Sequence, residues 1–335
     1  MMIEKTLMTN QLKNLVPQLA KRTIMVLGDV ILDEYVIGRA QRMSREAPIP
    51  VLELETRQYI PGGAANPAAN IVSLGSEAIQ VGIVGSDDAA THLREQLDER
   101  GIDVTGLVID RDKPTTLKTR IMAQMGLRFP QQIARVDTIS RKPIGQIIES
   151  ALLQRLDKRL EDADAILVSD YQNGLLTPTL IRLLKQVAYN RVPLIVDTQG
   201  ALDKYSGFDI IKCNANDASD FLGTYLKTDD DFASASRELL ERLDVKTGIF
   251  ITRGADGVTL ASHEEIAHIS SPDVSDVYDT VGAGDTWIAV VSLAFLAGAT
   301  LRESATLANY ASGIVVRHVG NYTPSPDELL KVLPD

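Results

Sequence analysis

Cysteine occurs once in these 335 residues, at Cys213, so neither an internal disulfide nor a cysteine metal cluster can form. That usage fits a reducing compartment, the cytoplasm. Cys213 follows the apolar run Phe208–Ile211 and is expected to pack rather than react. Histidine is nearly as scarce: residues 92, 263, 268 and 318 show no ligand spacing, and no zinc site is expected. No run reaches the roughly eighteen apolar residues of a membrane span; the longest, Trp287 to Ala297, is broken by Ser292. Met1 to Arg22 lacks an apolar stretch followed by a small-residue cleavage site, which excludes a secretion signal. Positive charge is in deficit, and the formal net charge of -11 argues against nucleic acid or an anionic membrane as partner. There is no repeat, no low-complexity tract and no linker rich in glycine, proline and serine. No Gly-x-Gly-x-x-Gly follows the first strand pattern, which argues against a dinucleotide dehydrogenase.

What is present centres on Asp279-Thr-Val-Gly-Ala-Gly-Asp285-Thr-Trp287, which runs straight into a segment apolar almost all round. The pattern predicts a buried helix with a glycine-rich start, whose unpaired N–H groups and positive dipole end would receive an anion, phosphate above all. A carboxylate there repels phosphate unless it has a task, such as taking the proton of the group that attacks the phosphate. An acid that merely stabilises its own helix is the simpler alternative. The flanking Gly282 and Gly284, the preceding Asp279 and the buried helix behind weigh against it.

The rest of the chain is compatible with an α/β fold. Leu12, Leu15, Val16 and Leu19 fall at helical spacing around Pro17, predicting a short leader over 1–22 packed on the main body of 23–335. Thr23–Gly28 is a buried strand, with Asp29 and Asp33 beyond its carboxyl end, where ligands of open α/β sheets lie. Short polar-alternating strands within about 35–60 and 107–137 predict a small sheet standing off the body as a lid. Gly62-Gly63 precede a small-residue helix from Asn66 to Leu74. From Pro143 the pattern alternates: helix 144–160, strand 165–169, helix 178–189, strands 193–197 and 208–213, helix 229–243, strand 247–251. That alternation argues a mainly parallel sheet with helices on both faces. The loops after these strands carry Asp170, Asp197, Asn214 with Asp217, and Thr252-Arg253-Gly254, polar groups suited to a magnesium–phosphate site. Thr300-x-x-Glu303 predicts a capped helix whose Asn309, Ser312 and Gly313 leave room for a flat ring. Lys118, Arg120, Arg128 and Arg135 cluster in the lid segments and could bind a phosphate.

Asp279–Asp285 and Gly62-Gly-Ala-Ala-Asn66, more than two hundred residues apart, resemble the two signatures of the ribokinase/PfkB carbohydrate kinases. Gly28-Asp-Val-Ile-Leu-Asp-Glu-Tyr, Glu46-Ala-Pro-Ile-Pro-Val, Gln131-Gln-Ile-Ala-Arg-Val-Asp and Ser169-Asp-Tyr are similar to the branch that phosphorylates heptose 7-phosphate at C1 and feeds ADP-heptose synthesis. The chain stops where the nucleotidyltransferase half of those proteins would start, so it resembles a stand-alone kinase. The resemblance implies a ribokinase-like fold, ATP with Mg2+ and a monovalent cation such as K+, and a homodimer paired through the lid. Asp285 is then the base, and Gly282, Ala283 and Gly284 hold the transferring group. Asp29, Asp33, Gly62, Gly63, Asn66, Lys118, Arg120, Arg135 and Asp170 meet the phosphosugar. Asn214, Thr252, Arg253, Gly254, Gly257, Asn309 and Ser312 meet ATP. Asp217 and Asp279 serve the metal, partly through water.

Three departures bear on the substrate. Asp197-Thr-Gln199-Gly stands where the branch has Asp-Pro-Lys-Gly and loses a cation. Asn214-x-x-Asp217 stands for Asn-x-x-Glu, a methylene shorter. A few extra residues lie around Met125 to Pro130. A fructose-phosphate, simple sugar or nucleoside kinase is the rival within the class, and a non-catalytic sugar or nucleotide sensor the rival outside it.

Overall fold

The computed structural model describes residues 2–124, 130–274 and 276–334, with side chains from Thr9 onward. Arg128 and most of the extra stretch at 125–130 lie outside the described residues. Helix α1 (Met2–Leu15) and a short turn of 3-10 helix at Val16–Leu19 form the leader. Leu12, Leu15, Val16 and Leu19 are all buried against the body, as their spacing requires.

Strand β1 (Thr23–Gly28) is followed after Asp29 by β2 (Val30–Met43), which leaves the body for the lid and returns as β3 (Pro50–Gly63). Helix α2 (Ala65–Ser73), β4 (Glu77–Val84), α3 (Asp88–Asp98) and β5 (Asp103–Ile109) come next. Strands β6 (Thr116–Gln124) and β7 (Gln131–Thr138) complete the lid. Helix α4 (Gln146–Arg159), β8 (Ala165–Asp170), α5 (Pro178–Ala188), β9 (Leu194–Thr198), β10 (Ile210–Asn214), α6 (Ala215–Leu222), α7 (Asp229–Arg242) and β11 (Gly248–Thr252) follow. The chain then adds β12 (Val258–Ser262), β13 (Ile266–Ile269), α8 (Ala283–Leu296), α9 (Leu301–Val315) and α10 (Pro326–Val332).

Two sheets result. The large one has nine strands in the order β13-β12-β11-β10-β9-β8-β1-β4-β5. Its strands are parallel from β11 through β5, with β12 and β13 antiparallel at one edge. The lid is the four-stranded sheet β3-β2-β6-β7. Parallel strands buried on both faces explain the near-continuous apolar runs of β1 and β8. One core cluster joins the sheet to α1, α2, α3, α8 and α9, and the other joins it to α4, α5 and α7. Cys213 is fully buried in the second, and burial pushes its thiol up, as a packing role requires.

The expected boundaries shift in places. Residues 107–109 end β5, which pairs with β4 in the large sheet, so the lid draws its third strand only from Thr116. The hairpin β12–β13 and helix α6 carry no clear period in the sequence, because each is short and is fixed by pairing or capping. Asn214 and Asp217 form the reciprocal cap of α6, and Thr300 and Glu303 that of α9.

Helix α8 is buried along nearly its whole length, which the apolar sequence demanded. Phe250 of β11 meets Trp287 edge to face at 5.0 Å and anchors the start of the helix to the sheet. Truncating Phe250 to alanine should cost about 3–5 kcal/mol, read as a drop in the urea midpoint.

Candidate active site

Residue Gly282 takes φ +80 as the N-cap of α8, a left-handed geometry that favours glycine, and the helix starts at Ala283 with Asp285 in its first turn. A carboxylate 6% exposed needs donors, and it has two. Asn66 Nδ2, from the first turn of α2, donates to Asp285 Oδ2 at 2.8 Å. The Tyr171 hydroxyl, just after β8, donates to Asp285 Oδ1 at 2.7 Å. Burial first, and then the neighbouring charge of Asp197, push the Asp285 carboxyl up to about 6, while the two donors pull it back.

Asp285 lines a cavity of about 200 Å³ with Tyr171, Lys212, Asn214, Gly282 and Gly284. Lys212 Nζ sits between both oxygens of Asp197 at 2.7 and 2.8 Å, beside Gly284. Gln199 lines the same cavity, and Lys212 of β10 brings a cation to it. A second cavity of about 510 Å³ is an apolar slot walled by Pro272, Val274, Val277, Gly313 and Val316. Thr252, Gly254, Gly257, Asn309 and Ser312 border this slot, and Ala283 and Gly284 form its inner end. Gly284 therefore faces both cavities, and the slot leads to the carboxylate.

Asp33 forms a buried ion pair with Arg120, and its Oδ2 accepts from Asn321 Nδ2 at 2.7 Å. A Cβ at Gly62 would stand 2.1 Å from that oxygen, so only glycine lets Asp33 lie there. Asn321 also donates to Pro61 O at 3.0 Å, and its Oδ1 accepts from Asn66 at 3.4 Å. One side chain thus ties the lid base, the Gly62-Gly63 turn and the Asp285 partner together. Lys118 Nζ lies 5.4 Å from the centre of the Tyr171 ring, at the site's edge.

Several expected residues have other partners. Asp29 is 4% exposed and accepts from the backbone N–H groups of Tyr171 and Asn173, so it shapes the loop that carries Tyr171. Asp170 turns inward to Lys204, Tyr205 and Gln172, because a carboxylate 2% exposed must be met by donors. Arg135 lies on the exposed strand β7 and pairs with Asp137. Arg253 stacks over Phe232 at 4.3 Å and pairs with Asp229, away from the slot. Asn309 lines the slot but spends its amide on Trp287 Nε1 and on the carbonyls of Ile269 and Ser270. Ser312 donates to Ala283 O. Asp279 holds the N–H groups of Val281 and Gly320, latching the loop after α9 to the glycine turn. Asp217 is half-buried, caps α6 through a long 3.4 Å contact, and burial raises its carboxyl. Among the described residues no three acidic, histidine or cysteine side chains converge on a metal position. Magnesium carried mainly by nucleotide phosphates and water needs no such cage.

Tyr171, Lys212 and Asn321 escaped the sequence reading. Lys212 leaves a trace, a lone cation inside the apolar strand Ile210-Ile211-Lys212-Cys213. Tyr171 stands in the quoted Ser169-Asp-Tyr motif without a role of its own, and Asn321 leaves no sequence trace.

Fold and site together define a phosphotransferase of the ribokinase-like class. The pfkB family carbohydrate kinase pattern matches residues 21–328, and the chain belongs to that family. The bifunctional protein HldE of Hyphomonas neptunium is 36% identical over 328 residues, covering 97% of this chain and 66% of that protein. HldE of Geobacter sulfurreducens is 37% identical over 309 residues, covering 91% and 62%. The chain thus spans about two thirds or less of these relatives. Phosphofructokinase-2 of Escherichia coli, in complex with substrates and products, superposes with a TM-score of 0.75 at 18% identity over 94% of this chain and 98% of that one. Ribokinase of Arabidopsis thaliana, complexed with ribose and ATP, gives 0.70 at 20% over 94% and 99%.

A folded-state pKa near 6 for Asp285 against an unfolded value of 3.8 means that ionisation opposes folding in full above pH 6 and not at all below about 4. Asp285→Asn should therefore stabilise the free protein at pH 8 by on the order of 3 kcal/mol. The gain should shrink toward pH 5, measured by urea denaturation at both values.

Proposed function

We propose that the chain transfers the γ-phosphoryl group of ATP to a hydroxyl of a phosphorylated sugar, and that the acceptor is C1 of D-glycero-D-manno-heptose 7-phosphate. One observation carries the reaction: Asp285 stands in the first turn of α8, on the cavity that Gly284 joins to the apolar slot. The heptose phosphate reading is supported by the HldE relatives and by the motifs shared with that branch of the family.

The adenine would lie in the slot against Gly313 and Val316, with the triphosphate passing Thr252 and Gly254 toward the N–H groups of Gly282, Ala283 and Gly284. Preorganised donors of this kind contribute roughly 3–4 kcal/mol each as charge spreads in the transition state. Lys212, next to Gly284, adds a cation whose charge Asp197 offsets in the absence of nucleotide. Magnesium, when bound, neutralises phosphate charge, and Asn214 and Asp217 are the residues to hold it through water. Phosphofructokinase-2 of Escherichia coli has also been solved in complex with potassium, and Asp279, beside the glycine turn, is the acid to meet a monovalent cation.

Asp285 takes the proton of the attacking alcohol, and a pKa near 6 leaves it ionised at neutral pH. Asp33, held by Arg120 and Asn321, orients the sugar, and Asn66 fixes the base. Lys118 and Arg120 are the cations for the sugar's own phosphate, and closing of the lid would exclude water. Met43, Ile49, Leu54, Ile133 and Val136 are exposed on the lid, which supports pairing of two copies there. The use of ATP and the single buried cysteine fit a cytoplasmic enzyme.

Asp285→Asn should lower kcat at least about a thousandfold while the Kd for ATP stays within error; turnover near that of the unaltered protein removes Asp285 as the base. Gly62→Ala, which displaces Asp33, should raise the acceptor KM about tenfold with the Kd for ATP unchanged. Coupled ADP-release assays on heptose, hexose and pentose phosphates identify the acceptor, and activity confined to an unphosphorylated sugar would refute the assignment.

A further inference from the structure

Both oxygens of Asp285 already hold a donor, but the two donors are not alike. Asn66 sits behind the carboxylate on α2 and is fully buried. Tyr171 lines the 200 Å³ cavity together with Asp285, and its hydroxyl bonds Oδ1, the oxygen that Asn66 leaves free. An O–H group 2.7 Å from the base is what an acceptor alcohol would itself present.

Resting on the reading of Asp285 as the base, we propose that Tyr171 is a placeholder for the acceptor: with no sugar bound, its hydroxyl occupies the cavity-facing oxygen of Asp285 and denies it to water. The phenol yields when the sugar hydroxyl arrives. Without this device, water could pass its proton to Asp285 as its oxygen bonds to the γ-phosphorus and the bond to ADP breaks. The products would then be ADP and inorganic phosphate, and ATP would be wasted.

The surroundings suit this role. Tyr171 keeps its proton, because burial and the charge of Asp285 push its hydroxyl well above the ordinary tyrosine value. Its backbone is fixed by Asp29, which accepts from the N–H of Tyr171 at 2.9 Å, and Gln172 beside it takes φ +58. Lys118 lies over the ring, so a phosphorylated sugar drawn to Lys118 touches the side chain that has to move. The charged groups around the pair are Asp197 and Lys212 from the large sheet and Asp33 and Lys118 from the lid side.

The test compares the full chain with Tyr171→Phe, which keeps the ring. Phosphate release from ATP in the absence of any sugar should rise about tenfold, the worth of one ordinary hydrogen bond. Because the Tyr171 bond pulls the Asp285 carboxyl down, its loss should also move the acid limb of kcat/KM for phosphotransfer to higher pH. A purely packing role moves neither, so unchanged hydrolysis with an unmoved limb overturns the proposal. In Tyr171→Phe/Asp285→Asn the extra hydrolysis should vanish; its persistence would place the water's proton acceptor elsewhere and also overturn it. If hydrolysis rises in Tyr171→Phe but no sugar phosphate is phosphorylated by the unaltered protein, the placeholder stands and the substrate assignment fails.

Discussion

The burial of one carboxylate at the start of an apolar helix constrains the whole molecule. Asp285 lies almost out of water on α8, and a charge so placed must be met by donors from other elements. Asn66 and Tyr171 answer from two distant segments, one opening α2 and the other following β8. Each is positioned in turn by another polar group: Asn66 by Asn321, and the backbone of Tyr171 by Asp29. The hydrogen bond of Thr286 to Asn70 fastens α8 and α2 side by side, so the base and its partner cannot drift apart. The large sheet supplies the floor, and its parallel strands deliver these loops to one edge.

Within a protein of net charge -11, the cavity at Asp285 also holds a positive group, Lys212. Two of the acids of the site are paired, Asp33 with Arg120 and Asp197 with Lys212, while Asp285 is met by neutral donors. The N-terminal turn of α8 and the paired Lys212 and Asp197 line the cavity together. Lys212 stands beside Gly284 in the cavity that Gln199 also lines.

Placed among carbohydrate kinases by family membership, the chain shows two regions that differ in rigidity of purpose. The apolar slot is walled by the end of the large sheet, the segment before α8, the start of α8, and α9. The lid, the Gly62-Gly63 turn and the loop after α9 are joined at Asn321.

Much of this was legible in the chain itself. Periodicity predicted the alternating helices and strands, the leader and the buried α8, since these depend on local apolar spacing and on caps that neighbours in sequence provide. The glycines before Asp285 marked the turn that opens α8, because a left-handed turn and a close approach leave few alternatives to glycine. The sequence alone therefore determined the class of fold, the helix start and the place of Asp285 in its first turn. Only the tertiary structure decided which acids face the cavity and which turn inward, as Asp170 and Asp29 do, and it alone brought Tyr171, Lys212 and Asn321 to the site. Local pattern records what a residue does for its own helix or strand. Which buried charge must find a donor, and from which remote segment, is settled only when the layers close and water is gone.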